Sequence, residues 1–341
     1  MGDIKVIIPM AGIGKRFFPL TNHRPKPLVR LAEKRLLDHV LDVFKGLEKD
    51  HTLEYIFIIG YLGEQIQEHM GKVHPEKRVT FYEQKEFRGQ SHAVSLAKSV
   101  VTGPVLLTYC DTITKTDFSF LAANPENGAV LVHEVEDPRR HGVAIIDRNN
   151  RIDRLVEKPK TMDHTLALTG LCYFPQGERL ISAIETQMNR GISLNDEYYL
   201  ADAINILLEE GNTIQAQKAS QWLDAGTPEA ILDTNAYLLQ HPWRSGHDGN
   251  ITESNLLVEP VYVHNSSQIR NSIIGPNVSI GANCVIEHSI LKDTIVDDGS
   301  RITEASLANS LIGANCSVNG RCIQQVIADH DEFETVTRRK E

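Results

Sequence analysis

Two different periodicities divide the chain. Up to about residue 240, short apolar runs alternate with stretches whose apolar residues recur at three- and four-residue spacing. Residues 5–10 predict a strand. Leu36, Leu37, Val40, Leu41, Val43, Phe44 and Leu47 predict an amphipathic helix. Strands are then predicted at 55–59, 79–83 and 105–109, with helices from Leu62 and over 91–101 between them. Alternation of this kind builds a mostly parallel sheet with helices on both faces. The middle is richer in β structure, with runs at 129–135, 143–147 and 151–157 and Asn149-Asn150 as a hairpin turn. Residues 197–209 predict a helix. A last helix starts with Thr227 as N-cap and Pro228 in its first position, and it ends before His241-Pro242.

Residues 241–253, with Pro242, Gly246 and Gly249, read as a linker. Beyond it aliphatic residues stand at Val263, Ile269, Ile274, Ile280, Ile286, Leu291, Val296, Ile302, Leu307, Ile312, Val318 and Ile323, every five or six positions. Small and turn residues fill the gaps, as in Ile280-Gly281-Ala282-Asn283 and Ile312-Gly313-Ala314-Asn315. A five-to-six-residue aliphatic repeat predicts a β-helix in which each short strand sends one side chain into an interior stack. Three strands to a turn give about four coils. The chain thus divides into an α/β domain over 1–240, a linker over 241–253 and a β-helix over 254–341.

Composition narrows the class. The chain has 341 residues, 41% hydrophobic and 23% charged, as in soluble globular proteins. No apolar run is long enough for a transmembrane helix. The N-terminus opens into the first apolar run without a signal-peptide segment, so a cytoplasmic protein is expected. A net charge of −10 argues against a nucleic-acid or anionic-membrane partner. Residues 1–35 nonetheless carry Lys5, Lys15, Arg16, Arg24, Lys26, Arg30, Lys34 and Arg35 against Asp3 and Glu33. That excess suits either a solvated basic face or an anion site. Cys110, Cys172, Cys284, Cys316 and Cys322 form no C-x-x-C pair, which leaves zinc and a disulfide framework without support.

The segment 7–28 carries the most chemistry. A strand ends in Ala11-Gly12-Ile13-Gly14-Lys15-Arg16, followed by Pro19-Leu20-Thr21 and Pro25-Lys26-Pro27-Leu28. Glycines after a strand let backbone N–H groups approach a polyphosphate, and Arg16 and Lys26 add charge. No Gly-Lys-Ser/Thr follows, so this is not a Walker A loop. Phe17 stands where a dinucleotide fingerprint needs its third glycine. Asp111 follows the apolar run 105–110, at the carboxyl end of a predicted strand, where open α/β sheets bind ligands; a turn or helix cap is the other reading. Gln84 and Gly89 lie in a segment that also reads as a surface loop entering a helix.

With these motifs the chain resembles the sugar-1-phosphate nucleotidylyltransferases, whose signature is similar to Gly-x-Gly-Thr-Arg-x-x-Pro-Leu-Thr followed by Pro-Lys-Pro-Leu. Lys15 stands where that family has Thr. The resemblance continues through Gln84, Gly89, Asp111, Gly142, the Glu157-Lys158-Pro159 step, Thr169-Gly170, Glu197 and the Trp222-Leu223-Asp224-Ala225-Gly226-Thr227 run, in the family's order over residues 1–240. It implies a Rossmann-like nucleotide-diphospho-sugar transferase domain followed by a short left-handed β-helix. It also implies transfer of a nucleotidyl group from a nucleoside triphosphate to a sugar 1-phosphate, with glucose 1-phosphate as the first choice of sugar.

The implied roles are specific. Ala11, Gly12, Gly14, Gln84 and Gly89 would hold the nucleotide, with the Gln84 amide pairing the O4/N3–H edge of uracil or thymine and so favouring dTTP or UTP. Gly142, Glu157, Thr169 and Glu197 would meet the sugar; Glu197 can also simply favour a helix start. Arg16, Lys26 and Lys158 would neutralise phosphates. Asp111 and Asp224 would hold Mg²⁺. The β-helix implies assembly into a homo-oligomer. Acyl transfer on the β-helix and a non-catalytic nucleotide-sugar-binding homologue are the alternatives. The histidines among the β-helix rungs, His264 and His288, are expected to face solvent.

Overall fold

The computed structural model describes residues 3–240, 250–251 and 254–320. Most of the expected linker, the final rung at Ile323 and Cys322 lie outside the described residues.

In chain order the first domain holds β1 (Asp3–Pro9), β2 (Arg30–Leu31), β3 (Lys34–Arg35), α1 (Leu36–Asp42), β4 (Thr52–Ile59), α2 (Gly63–Val73), β5 (Arg78–Glu83), α3 (Gln90–Ser95), β6 (Val105–Leu107), β7 (Thr112–Lys115), α4 (Phe120–Ala123) and β8 (Gly128–Glu134). It continues with β9 (Gly142–Ile146), β10 (Ile152–Glu157), β11 (Leu166–Phe174), α5 (Gly177–Asn189), α6 (Leu200–Glu209), β12 (Ile214–Lys218), β13 (Gln221–Asp224) and α7 (Pro228–Gln240). Nine of these strands form one mixed sheet in the order β10-β9-β11-β6-β1-β4-β5, with β8 beside β11 and β12 beside β8. The β6-β1-β4-β5 part is parallel, whereas β11 runs antiparallel to β6, β8 and β9.

Alternation along the strands sends side chains to opposite faces. Ile7, Ile56 and Ile58 join the core under α3, α5 and α6, with Val94, Leu180 and Ile204. Val6, Ile8, Tyr55 and Phe57 join the other, under α1 and α2, with Leu37, Leu41, Ile66 and Met70. Both faces are covered, so the strands read as apolar runs.

Three helices start or stop differently from the sequence reading. The pattern through Leu47 predicts a longer α1, and that over 91–101 a longer α3. Each gives way to tighter i→i+3 bonds, such as Phe44 N–H to Leu41 O at 3.1 Å and Ala97 N–H to Val94 O at 3.1 Å. The helix predicted from Glu197 begins only at Leu200. The α7 start agrees, with Thr227 Oγ1 accepting from Ala230 N–H at 3.1 Å.

The C-terminal part is a β-helix. Ile269 pairs with Ile286, Ile286 with Ile302 and Ile302 with Val318, each in parallel register. Val263, Ile280, Val296 and Ile312 make a second column, and Leu257, Ile274, Leu291 and Leu307 a third. These aliphatics form one core. The coils begin earlier than expected: Asn250–Ile251, inside the expected linker, is already a strand with Ile251 in register with Ile269. His288 is exposed, as expected, while His264 is only half-buried and its Nδ1 lies 2.9 Å from Ser266 Oγ.

The β-helix docks on the first domain through charge. Asp297, nearly fully buried, and Asp298 receive Arg24, Arg30 and Arg35. Three of the eight N-terminal basic residues therefore serve the domain contact, not an anion site. Buried Asn235 of α7 adds a neutral link, accepting from Ser279 Oγ–H at 2.7 Å and Ala32 N–H at 3.0 Å and donating to Asn277 O at 3.1 Å.

Candidate active site

The loop after β1 is pinned to the end of β4. Met10 N–H donates to Ile58 O at 2.8 Å, and Ala11 O accepts from Tyr61 N–H at 3.1 Å. Gly12 stays exposed, and Gly14 adopts φ +70° at the turn into a short 3-10 helix over Lys15–Phe17. Thr21 Oγ1–H donates to Gly14 O at 3.1 Å and folds the following segment back on the loop. That return brings in Lys26. Its Nζ sits 5.0 Å above the Phe17 ring and 2.6 Å from Asp111 Oδ2. Arg16 is exposed and makes no hydrogen bond or ion pair among the described residues.

Asp111 and Asp224 meet because β7 and β13 pair antiparallel, with Thr112 opposite Asp224. Ala225 N–H donates to Asp111 O at 2.9 Å. Gly226 N–H holds Asp224 Oδ1 at 2.8 Å. Burial raises the pKa of Asp224, and the charge of Asp111 adds to the rise. The two converging carboxylates form an oxygen donor set suited to a hard divalent cation, and the Lys26 ammonium neutralises part of their charge.

On one side of this cluster lies Gln84, with 5% exposure. Its backbone N–H is bound to Ile59 O at 2.8 Å, next to the β4 end that pins the loop. Its Nε2 donates to Gly89 O at 3.1 Å and lies 3.0 Å from His92 Nδ1. Burial, then the charge of Arg88, lowers the His92 pKa. Gly89 is required: its φ is +93°, and a Cβ there would lie 2.5 Å from Tyr198 N.

On the other side the β9–β10 hairpin sets Gly142 opposite Glu157. A Cβ on Gly142 would come within 2.9 Å of Glu157 Oε2. Burial raises the Glu157 pKa against the pull of Lys158. Lys158, at φ +47°, points its Nζ to the Tyr199 hydroxyl at 3.2 Å. Burial raises the Tyr199 pKa; Lys158 lowers it and Glu197 raises it, which sets that hydroxyl between the two charges. Glu197 itself precedes α6 in a tight turn with Leu194, so its place is not that of a helix-start acid. Thr169 is buried with its Oγ1 unpartnered among the described residues.

The structure thus joins Lys26, Asp111 and Asp224 in one cluster, Gln84 and Gly89 in a second, and Gly142 with Glu157 and Lys158 with Tyr199 and Glu197 in a third. Arg16 stands apart. Sequence reasoning missed Tyr199, and also Trp222 with His141, whose rings meet edge-on at 5.1 Å. The Trp in the Trp-x-Asp run was the available signal. Tyr199 offered none, because a tyrosine before a helix is common.

Comparison with known proteins agrees with this layout. Residues 257–331 match the model described as GMPPB C-terminal domain. The bifunctional protein GlmU of Methanocaldococcus jannaschii is 35% identical over 68% of this chain and 54% of its own length. The chain thus spans about half the length of that relative. The UTP–glucose-1-phosphate uridylyltransferase AglF of Haloferax volcanii is 28% identical over 66% of this chain and 93% of its own. A solved structure from Bacillus anthracis, named as a glucose-1-phosphate thymidylyltransferase, superposes with TM-score 0.59 at 23% identity, covering 69% of this chain and 94% of that one. That likeness shows the fold. The model described as nucleotidyl transferase matches residues 5–241, the whole sheet and every cluster above, and the chain belongs to that family.

Proposed function

We propose that the chain transfers a nucleotidyl group from a nucleoside triphosphate to a sugar 1-phosphate and releases pyrophosphate. The observation that carries this is the convergence of Lys26, Asp111 and Asp224 at the end of the glycine loop, flanked by Gln84 and by Glu157-Lys158. A sugar-phosphate oxygen attacks the α-phosphorus; the new O–P bond forms as the bond to the β-phosphate oxygen breaks. Positioning and charge neutralisation supply the rate. Arg16 holds the departing pyrophosphate, Lys26 the triphosphate and Lys158 the sugar phosphate. Asp111 and Asp224 are the residues to hold Mg²⁺, which when bound neutralises phosphate charge.

The base preference rests on Gln84. Its Nε2 faces both Gly89 O and His92 Nδ1, so Oε1 is the group left to accept the N3–H of uracil or thymine. UTP and dTTP are the favoured nucleotides and glucose 1-phosphate the favoured sugar; similarity to the UTP–glucose-1-phosphate uridylyltransferase of Haloferax volcanii supports UTP and glucose 1-phosphate.

The test is pyrophosphate release with Mg²⁺, crossing the nucleoside triphosphates with glucose, N-acetylglucosamine, glucosamine, galactose and mannose 1-phosphates. Release that needs both substrates and favours UTP or dTTP supports the proposal. Preference for GTP, whose N1–H is also a donor, would overturn the Gln84 reading. Silence in every combination, from folded protein, would overturn the reaction.

A further inference from the structure

A second polar cluster lies on helices α1 and α2, built from residues with no part in the reaction above. Asp38 sits in the first turn of α1 with its side chain 7% exposed. His69 lies one turn before the end of α2 and His74 caps that end, each side chain 14% exposed. His69 Nε2 lies 2.7 Å and His74 Nε2 2.8 Å from the same oxygen, Asp38 Oδ1. The three atoms fall within 4.8 Å of one another.

We infer that Asp38, His69 and His74 form a binding site for a zinc-like transition-metal ion. Two imidazole nitrogens and one carboxylate oxygen are the donor set of a tetrahedral site with one position left for water. The ligands come from helix ends held by the core, so their convergence is built into the fold. Two of the three, Asp38 and His74, have a polar group behind them. Asp38 Oδ2 accepts the Arg35 N–H at 3.0 Å, which fixes the carboxylate and leaves Oδ1 for the ion. Glu76 Oε1 lies 3.9 Å from His74 Nδ1, on the ring edge opposite the ligating nitrogen, where an outer carboxylate orients a metal-bound histidine.

The present separations are those of hydrogen bonds. Bonds of 2.0–2.1 Å to a tetrahedral ion require donors about 3.3 Å apart, so each histidine nitrogen moves about half an ångström away from Asp38 Oδ1. Two part-exposed histidines can supply that by side-chain rotation. When Nε2 binds the ion, the ring proton resides on Nδ1, which on His74 faces Glu76.

Nitrogen donors also separate this site from Asp111 and Asp224, whose all-oxygen set suits Mg²⁺. The ion would tie α1 to α2. Through the backbone of Arg35 it would stiffen the segment whose guanidinium holds Asp297 and Asp298 of the β-helix.

The test is zinc titration of tag-free full-length protein by calorimetry, in excess Mg²⁺, for the wild type, His69→Gln, His74→Gln and Asp111→Asn. One equivalent is expected for the wild type and for Asp111→Asn. In either histidine variant, affinity should fall by at least ~100-fold, beyond the loss from disturbing an outer partner. Zinc should also raise the melting temperature of the wild type and of Asp111→Asn, and of neither histidine variant. Equal zinc binding by the wild type and both histidine variants overturns the site. So does loss of binding only in Asp111→Asn. Should a variant fail to fold, Co²⁺ added to the wild type decides: intense visible bands of a tetrahedral ion support the site, and a spectrum no different from Co²⁺ in buffer overturns it.

Discussion

Lys26 Nζ lies 2.6 Å from Asp111 Oδ2, and this contact joins the loop after β1 to the chain leaving β6. Asp111 in turn faces Asp224, whose carboxyl is pushed up by burial and then by Asp111. One ammonium against two carboxylates leaves the cluster short of positive charge. Asp111→Asn removes the like-charge repulsion together with one of the two proposed Mg²⁺ ligands. Turnover should fall by at least ~100-fold, a loss typical of removing one electrostatic contact at a reacting centre. The melting temperature should hold or rise. Near-normal pyrophosphate release from Asp111→Asn would remove Asp111 from the metal assignment.

Gly89→Ala tests the nucleotide side. The new Cβ would meet the backbone nitrogen of Tyr198 at 2.5 Å, at a φ of +93° that an alanine resists. The backbone must yield, and both the Gly89 carbonyl that holds Gln84 and the strand of chain leading to Tyr199 move with it. A stability loss of about 1–3 kcal/mol, the cost of a strained backbone position, should accompany a raised KM for the nucleotide. Unchanged KM with reduced stability would separate Gln84 from base binding.

What was legible in the sequence follows from what each residue answers to. Columns such as Ile269-Ile286-Ile302 answer to one repeating requirement, an aliphatic side chain per strand, so spacing alone revealed them. Asp111 follows an apolar run at a strand end, whereas Asp224 was legible only through the resemblance of the 222–227 run, and the β7–β13 pairing brings the two together. Arg24, Arg30 and Arg35 were illegible, because their partners, Asp297 and Asp298, lie in the other domain and no local pattern links them. The Asp38-His69-His74 cluster was hidden for the same reason: α1 and α2 must pack before its atoms meet. The ends of α1 and α3 escaped because apolar spacing does not distinguish an α turn from the tighter turn that follows it.

The interior stack of the β-helix should be sensitive to loss of a single side chain. Ile286 is fully buried between Ile269 and Ile302. Ile286→Ala removes methyl groups from a column whose neighbours are fixed by backbone pairing and cannot collapse. The expected cost is about 2–5 kcal/mol. It should appear in hydrogen exchange as lost protection over 261–318, with the sheet of the first domain unaffected. Uniform loss across both domains would mean that the two unfold as one unit.

The domain contact should weaken in acid. Burial alone would raise the pKa of Asp298, but Arg30 and Arg35 more than offset it and hold the carboxyl below its ordinary value. A carboxyl depressed in the folded state contributes stability that is fully present above its unfolded pKa and is lost as pH falls through the folded one. Wild-type melting temperature should therefore decline as pH drops below the carboxylate range. Asp298→Asn should melt lower at neutral pH and converge with the wild type in acid. Arg30→Ala should cost more than Asp298→Asn, about 3 kcal/mol, because it strips a partner from both Asp298 and the buried Asp297. Melting curves of Asp298→Asn that run parallel to the wild type across the whole pH range would show that this carboxylate does not hold the β-helix in place.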